Sequence, residues 1–365
     1  ATVNLAYWGV QLSDGLAGLG GAGGDAGEAS GGADFFGGGT GGAGGDGGAG
    51  ALSFSDGGDG GEGGRGGDGG FGAGGGQGGE GGTAGANGNA ADGDPGDGGF
   101  AGFGAGEGAT GNGQFGGGGS GLGGALFVRE GGSLVVKGDA LFELNYVAGG
   151  TTTSEFGEAG MAAGSDLFMM KGSNVRLEPG QGNQIRFEGD IADDSLATND
   201  GFMNAAGDGA DITIAGDGGL VIFNGENTYS GHTIMEGGSL TAEMGVGVND
   251  ASVMRFNGSG STNIDETGTL ALATSGSFLL QDNYVRRAGS DPSETMWTGS
   301  GGFASSLAEG VTVNLGLLDE DTNRGQALKW GYDGFFVSGD VTGSGVNGAL
   351  TFGSELALGT VEFTN

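Results

Sequence analysis

The chain of 365 residues has one histidine, His232, and no cysteine. A serine-hydrolase reading needs His232 as base beside an activated Ser, yet no G-x-S-x-G stretch occurs. His232 therefore reads as a strand-surface residue. Carboxylates are the abundant reactive groups, with 46 Asp and Glu against 11 Lys and Arg. Neighbouring acids such as Asp193/Asp194 and Asp319/Glu320/Asp321 could divide the acid and base roles at a glycosidic bond. In so acidic a chain such pairs also arise as solvated turns, which is the plainer expectation. The calcium-loop hexamer GGxGxD fits Gly20–Asp25 and Gly41–Asp46, but the apolar residue expected two places later is Gly27 or Gly48. Diffuse calcium association with surface carboxylates is expected there, and no cofactor. Trp297, Trp330, Tyr332, Phe335 and Phe336 could form a sugar-binding surface; packing in a core is the favoured reading. No catalytic, cofactor-binding or metal-ligating set emerges.

The elements that would position these residues divide the chain in three. Residues 1–14 alternate loosely, with Val3, Leu5 and Tyr7 on one side, and read as a short strand. Residues 15–124 contain 56 Gly among 110 positions, and Arg65 is their single basic residue. Residues 125–365 carry short apolar runs of period two between Gly, Asn and Asp. Among them are Leu134/Val136, Val175/Leu177, Ile185/Phe187, Ile212/Ile214, Leu270/Leu272, Val311/Val313/Leu315 and Val361/Phe363. No convincing amphipathic helix interrupts them, so this part is all-β. "LFVREGGSLVVKGDALFE" (126–143) aligns with "LFMMKGSNVRLEPGQGNQIRFEG" (167–189), about 41 residues on, and GGSL returns at Gly237–Leu240. Strand-and-turn units that recur in this way suggest coils stacked into a β-solenoid. A β-sandwich of the same strands is the alternative.

In the Gly-rich part, every third residue from Asp56 to Thr83 is variable and Gly fills the places between, except at Ala73. That period fits the extended left-handed helix of three residues per turn. Two bare Gly edges per helix would let neighbours exchange backbone hydrogen bonds, giving a polyglycine-II bundle. The entropy of ordering Gly opposes it, and a flexible linker is the other branch. Seven phenylalanines (Phe35, Phe36, Phe54, Phe71, Phe100, Phe103 and Phe115) favour the bundle, since a solvated linker has no use for them. With 3 Pro the chain is not collagen-like.

Charge and composition narrow the partners. A net charge of −35 excludes nucleic-acid backbones and anionic membrane surfaces as default partners. No apolar run approaches the length of a membrane-spanning helix. The start at Ala1, without Met or a leader, reads as a processed, mature chain.

"GDGGLVIFNGENTYSGHTIMEGGSLTA" (216–242) resembles the passenger-associated strand repeat of bacterial autotransporters, where an apolar strand, Asn-Thr-Tyr, a Gly turn and a GGxL strand follow in order. Residues 121–139, 185–195, 297–304, 311–316, 328–339 and 350–363 resemble further phrases of the same passengers. The resemblance covers most of residues 121–365. It implies a right-handed parallel β-helix on the outer surface of a Gram-negative cell. The translocating barrel of that family has no counterpart here, which implies a released or trimmed passenger, and His232 stands where the repeat more often has Gly or Thr. Since the family includes proteases, esterases and adhesins, architecture is implied more firmly than activity.

The expectation is a non-enzymatic extracellular structural protein, a surface adhesin or a subunit of a filament or biofilm matrix. A secreted carbohydrate-active enzyme using an Asp/Glu pair is the alternative; ice or mineral binding by a Gly-rich face is a minor one. Expected partners are glycans, host or neighbouring cell surfaces, and copies of itself joined head to tail. Self-association would use Val3, Leu5, Tyr7 and Trp8 of the first strand with Val361 and Phe363 of the last. Against it, the first strand could instead fold back as a cap on its own solenoid.

Overall fold

Alternation of apolar and polar residues places one set of side chains on each face of a strand, and strands such as Ser133–Lys137 and Asn174–Glu178 use it, whereas Gly276–Leu280 and Gly301–Ser305 are buried on both faces. The computed structural model describes residues 97–100, 105, 108–109, 117–151, 158–195, 209–216, 218–258, 276–289, 294–316, 318–319, 324–325 and 350–365. The first strand (residues 1–14), most of the Gly-rich part, both GGxGxD hexamers, Leu270/Leu272, Glu320, Asp321, Trp330, Tyr332, Phe335 and Phe336 lie outside them. Among the described residues the regular structure is all-β, with no helix.

Two parallel sheets dominate, and neither closes on itself. One has six strands in chain order: Ser133–Lys137, Asn174–Glu178, Asp211–Ile214, Thr233–Met235, Met254–Phe256 and Thr295–Trp297. The other has seven, also in chain order: Ala140–Phe142, Gln184–Phe187, Leu220–Phe223, Ser239–Ala242, Gly276–Leu280, Gly301–Ser305 and Leu350–Phe352. Two three-stranded parallel sheets stand beside them, Leu126–Val128, Leu167–Met169 and Ile191–Asp193, and Tyr284–Val285, Val311–Asn314 and Val361–Phe363. Leu318–Asp319 pairs antiparallel with Arg324–Gly325.

Register turns the period-two runs into columns. In the six-stranded sheet Val136, Leu177, Ile214, Met235, Phe256 and Trp297 follow one another across the strands, and all are fully buried. In the seven-stranded sheet the column is Ala140, Ile185, Val221, Leu240, Phe278, Phe303 and Phe352. Aromatic rings stack in such columns, Phe256 on Trp297 at 4.9 Å between centroids and, in the neighbouring column of the seven-stranded sheet, Phe142 on Phe187 at 4.6 Å. Leu126 pairs with Leu167 and Leu134 with Val175, the offset read from the repeat. Trp297 is thus a core residue. The turns between columns need left-handed backbone at Gly131 (φ 66°) and Gly172 (φ 65°), which occupy equivalent places in successive repeats.

A different packing joins residues 117–121, 148–150 and 158–161. The Gly150 amide donates to the Gly119 carbonyl (2.7 Å), Gly160 to Gly150 (2.9 Å) and Gly118 to Glu158 (2.8 Å). Each of the three segments is therefore bonded to the other two. A Cβ on Gly118, Gly149 or Gly160 would fall on a neighbouring carbonyl oxygen, so only Gly permits the approach. Gly98 and Gly108 repeat the theme, with the Gly108 amide donating to Gly99 (3.1 Å).

Candidate functional site

Several polar side chains lie in or beside the turns that follow strands and bond groups remote in sequence. Asp166 Oδ2 accepts from the Gly189 amide (2.7 Å) and its Oδ1 from Asn145 Nδ2 (2.8 Å). Asp190 Oδ1 accepts from the Glu226 amide (3.0 Å). Asn227 Oδ1 accepts from the Ile191 amide (2.7 Å), while its Nδ2 donates to the Gly247 carbonyl (2.7 Å). Asn249 Nδ2 then donates to the Asn227 carbonyl (2.9 Å). Each side chain thus bonds a group remote in sequence and ties two chain segments together.

Asp193 is the most heavily engaged member. Its Oδ2 accepts from the amides of Ala210 (3.2 Å), Ser230 (2.8 Å) and Gly231 (3.3 Å), and its Oδ1 from Ser195 (3.0 Å). Its neighbour Asp194 is the opposite case. It is fully buried, and neither carboxylate oxygen has a hydrogen-bond partner. Burial pushes the Asp194 carboxyl above its ordinary value; the nearby Lys171 amide, outside hydrogen-bonding geometry, opposes this, and the charges of Asp193 and Glu130 add to it. Asp166 and Asp190 are also held above the usual carboxylate range, chiefly by burial.

The Asn-Thr-Tyr unit gains a physical role here. Asn227 ties the turn on either side, the Thr228 amide donates to the Ile191 carbonyl (2.9 Å), and Tyr229 lies wholly in the core. Tyr229 Oη and Thr233 Oγ1 share a hydrogen bond of 2.6 Å, and Thr233 Oγ1 lies 3.0 Å from Ser252 Oγ. Burial drives the Tyr229 hydroxyl up to about 12, so it stays a neutral donor.

His232 sits half-exposed on the outer face of the six-stranded sheet. Its Nδ1 is 3.1 Å from Asp211 Oδ1, which also accepts the His232 amide (2.8 Å). Burial alone would raise Asp211, but the two His232 hydrogen bonds and the charges of His232 and Arg255 hold it below its ordinary value. The pair braces adjacent strands. Beyond it, Lys137 pairs with Glu178, and Arg176 bridges Glu178 and Glu236, both at 2.6 Å. Exposed pairs of this kind contribute roughly 0–1 kcal/mol each. Among the described residues no three His, Asp or Glu side chains converge as a metal-binding group. No helix long and apolar enough to cross a membrane occurs among the described residues.

Of the residues singled out for self-association, Val361 and Phe363 form the last strand, half-buried, with Phe363 at 5.4 Å from Phe352 between centroids. Val3, Leu5, Tyr7 and Trp8 lie outside the described residues. The sequence reading missed the Asp and Asn turn braces, because in an acidic chain an Asp beside Gly looks like any solvated turn. Set against known proteins, the chain matches no family model, no curated protein and no solved structure. The likeness to passenger strand repeats rests on the residues quoted above.

Proposed function

We propose that the chain is a non-enzymatic structural protein of the cell exterior, a surface adhesin or matrix subunit. In this reading it is a parallel β-solenoid whose Gly-rich segment packs as extended polyglycine-II helices. The observation that carries the functional part is how the polar groups at the turns are engaged. Asp193 gives its acceptors to four backbone amides, and Asp166, Asp190 and Asn227 each hold a turn. A carboxylate offers about four lone-pair sites, and in Asp193 backbone amides engage both oxygens, which fits a part in holding the turns. In this reading Asp193, one of the acids that resembled an enzyme's pair, serves as a fastening of the fold.

The solenoid reading draws on two long sheets whose parallel strands keep strict chain order, since each pass must return the chain to the same side before the next strand pairs. The bundle reading draws on the mutual bonding of 117–121, 148–150 and 158–161. The exterior location is drawn from the resemblance of residues 216–242 to passenger repeats.

A screen of the purified chain against acidic and neutral polysaccharides tests the functional reading. Retention on a glycan without chain cleavage is expected. Turnover that disappears on changing a single Asp to Asn or Glu to Gln would replace this reading with a carbohydrate-active enzyme.

A further inference from the structure

We propose that the Leu350–Phe352 and Val361–Phe363 end of the sheets is a strand-docking edge, and that its occupant is the Ala1–Val10 segment of a second copy. The proposal deepens the structural reading above by naming the partner and the contact.

The two ends of the sheets differ. At the first, the inward side chains Leu134, Val136 and Phe142 are 4%, 0% and 4% exposed. At the last, Phe352 is 60% exposed, although Phe278 and Phe303, its predecessors in the same column, are 0%. Leu356 and Leu358 are exposed beside it, and Thr351 Oγ1 is buried with no hydrogen-bond partner. Among the described residues Leu350–Phe352 pairs only with Gly301–Phe303, and Val361–Phe363 only with Val311–Val313. A parallel strand bonded on one side presents its alternate N–H and C=O groups to the other. Among the described residues the core column thus ends on an aromatic ring with an unpaired row of backbone groups alongside.

The edge specifies its occupant. It takes an extended segment with apolar side chains at alternate positions, to cover Phe352 and Phe363 while pairing the backbone. In a chain of net charge −35 that segment must itself carry little charge. "ATVNLAYWGV" has no charged side chain and places Val3, Leu5 and Tyr7 on one side. It joins the sheets through the Gly-rich part, and Gly121–Leu122 pairs with Ala162–Ala163 beside the first strands. The seven-stranded sheet begins at Ala140–Phe142, which follows the Gly-rich part in the chain, and ends at the acceptor strand, six strand spacings or about 29 Å away. Stacking copies head to tail brings the donor of one beside the acceptor of the next. This contact is heterologous and does not close, so it continues into a filament.

Sedimentation velocity and negative-stain microscopy of the full chain, at low and high NaCl, test this. The intact chain is expected to form linear oligomers that lengthen with salt, because screening weakens repulsion between copies. A Leu5→Asp/Tyr7→Asp chain, lacking the donor, and a Phe352→Asp chain, lacking the acceptor, should each remain monomeric. Mixed, they should give dimers that grow no further. A labelled Ala1–Val10 peptide should bind the donor-less chain one to one and bind the Phe352→Asp chain about tenfold or more weakly. Circular dichroism keeps the variants comparable, and Phe352→Val replaces Phe352→Asp if the latter misfolds. A monomeric intact chain at every salt overturns the proposal whether or not the peptide binds: binding would mean that the segment caps its own molecule. Oligomers unaffected by both variants overturn it equally. Neither result bears on catalysis, and turnover in the polysaccharide screen would leave this contact standing.

Discussion

Asp193 and Asp194 are adjacent in sequence and have opposite fates, which turns on where the bending chain aims each carboxylate. Asp193 accepts from four amides; Asp194 is fully buried and neither of its carboxylate oxygens has a hydrogen-bond partner. A carboxyl raised in the folded state favours folding fully below its unfolded value, and that contribution is lost as pH rises through the folded value. Asp194 therefore lowers stability at neutral pH, and the part of that cost due to its charge disappears when it is protonated. Asp194→Asn keeps the shape and removes the titration. Urea midpoints should show the variant more stable than the parent near pH 7, with the difference shrinking toward about pH 4, at the ordinary carboxylate range. A variant that is less stable at neutral pH would mean that Asp194 has a partner.

At the scale of elements, the strands were legible and their fastenings were not. Period-two runs at Leu134/Val136, Ile185/Phe187 and Ile212/Ile214 became buried columns because alternation is the geometry of a strand itself. The offset between residues 126 and 167 became the pairing register because like residues stack on like. The turn braces stayed hidden, since each acts on an amide that sequence does not place next to it. So did the glycine trio, for "AGG" at 148–150 and "AGM" at 159–161 carry no GGx period. The trio can be broken on its own. A methyl at Gly160 would fall on the Gly119 carbonyl, and overpacking of this kind costs about 1–3 kcal/mol. Gly160→Ala should speed amide exchange of residues 117–121 and leave the Ile212–Ile214 strand unchanged. Equal protection in both proteins would show that the three segments do not depend on one another.

Across the whole molecule, each strand of the two main sheets is held by its neighbours before and after it. Stability in such an array is close to a sum of nearest-neighbour terms, so an end strand with one neighbour frays first. The ends are unequal here. The first carries buried Leu134, Val136 and Phe142, while the last ends on exposed Phe352, Leu356 and Leu358. Opening the last strands exposes little apolar surface that was not already in water, so they should open most readily. Hydrogen exchange read by mass spectrometry on the Phe352→Asp chain, where no second copy can cover the edge, should follow this order. Protection is expected to be highest in Asp211–Ile214, Leu220–Phe223 and Thr233–Met235, lower in Ser133–Lys137, and lowest in Leu350–Phe352 and Val361–Phe363. Uniform protection from end to end would mean that the sheets open as one unit. Faster exchange at Ser133–Lys137 than at Leu350–Phe352 would mean that the bare end is the first one, and the docking edge would have to be sought there.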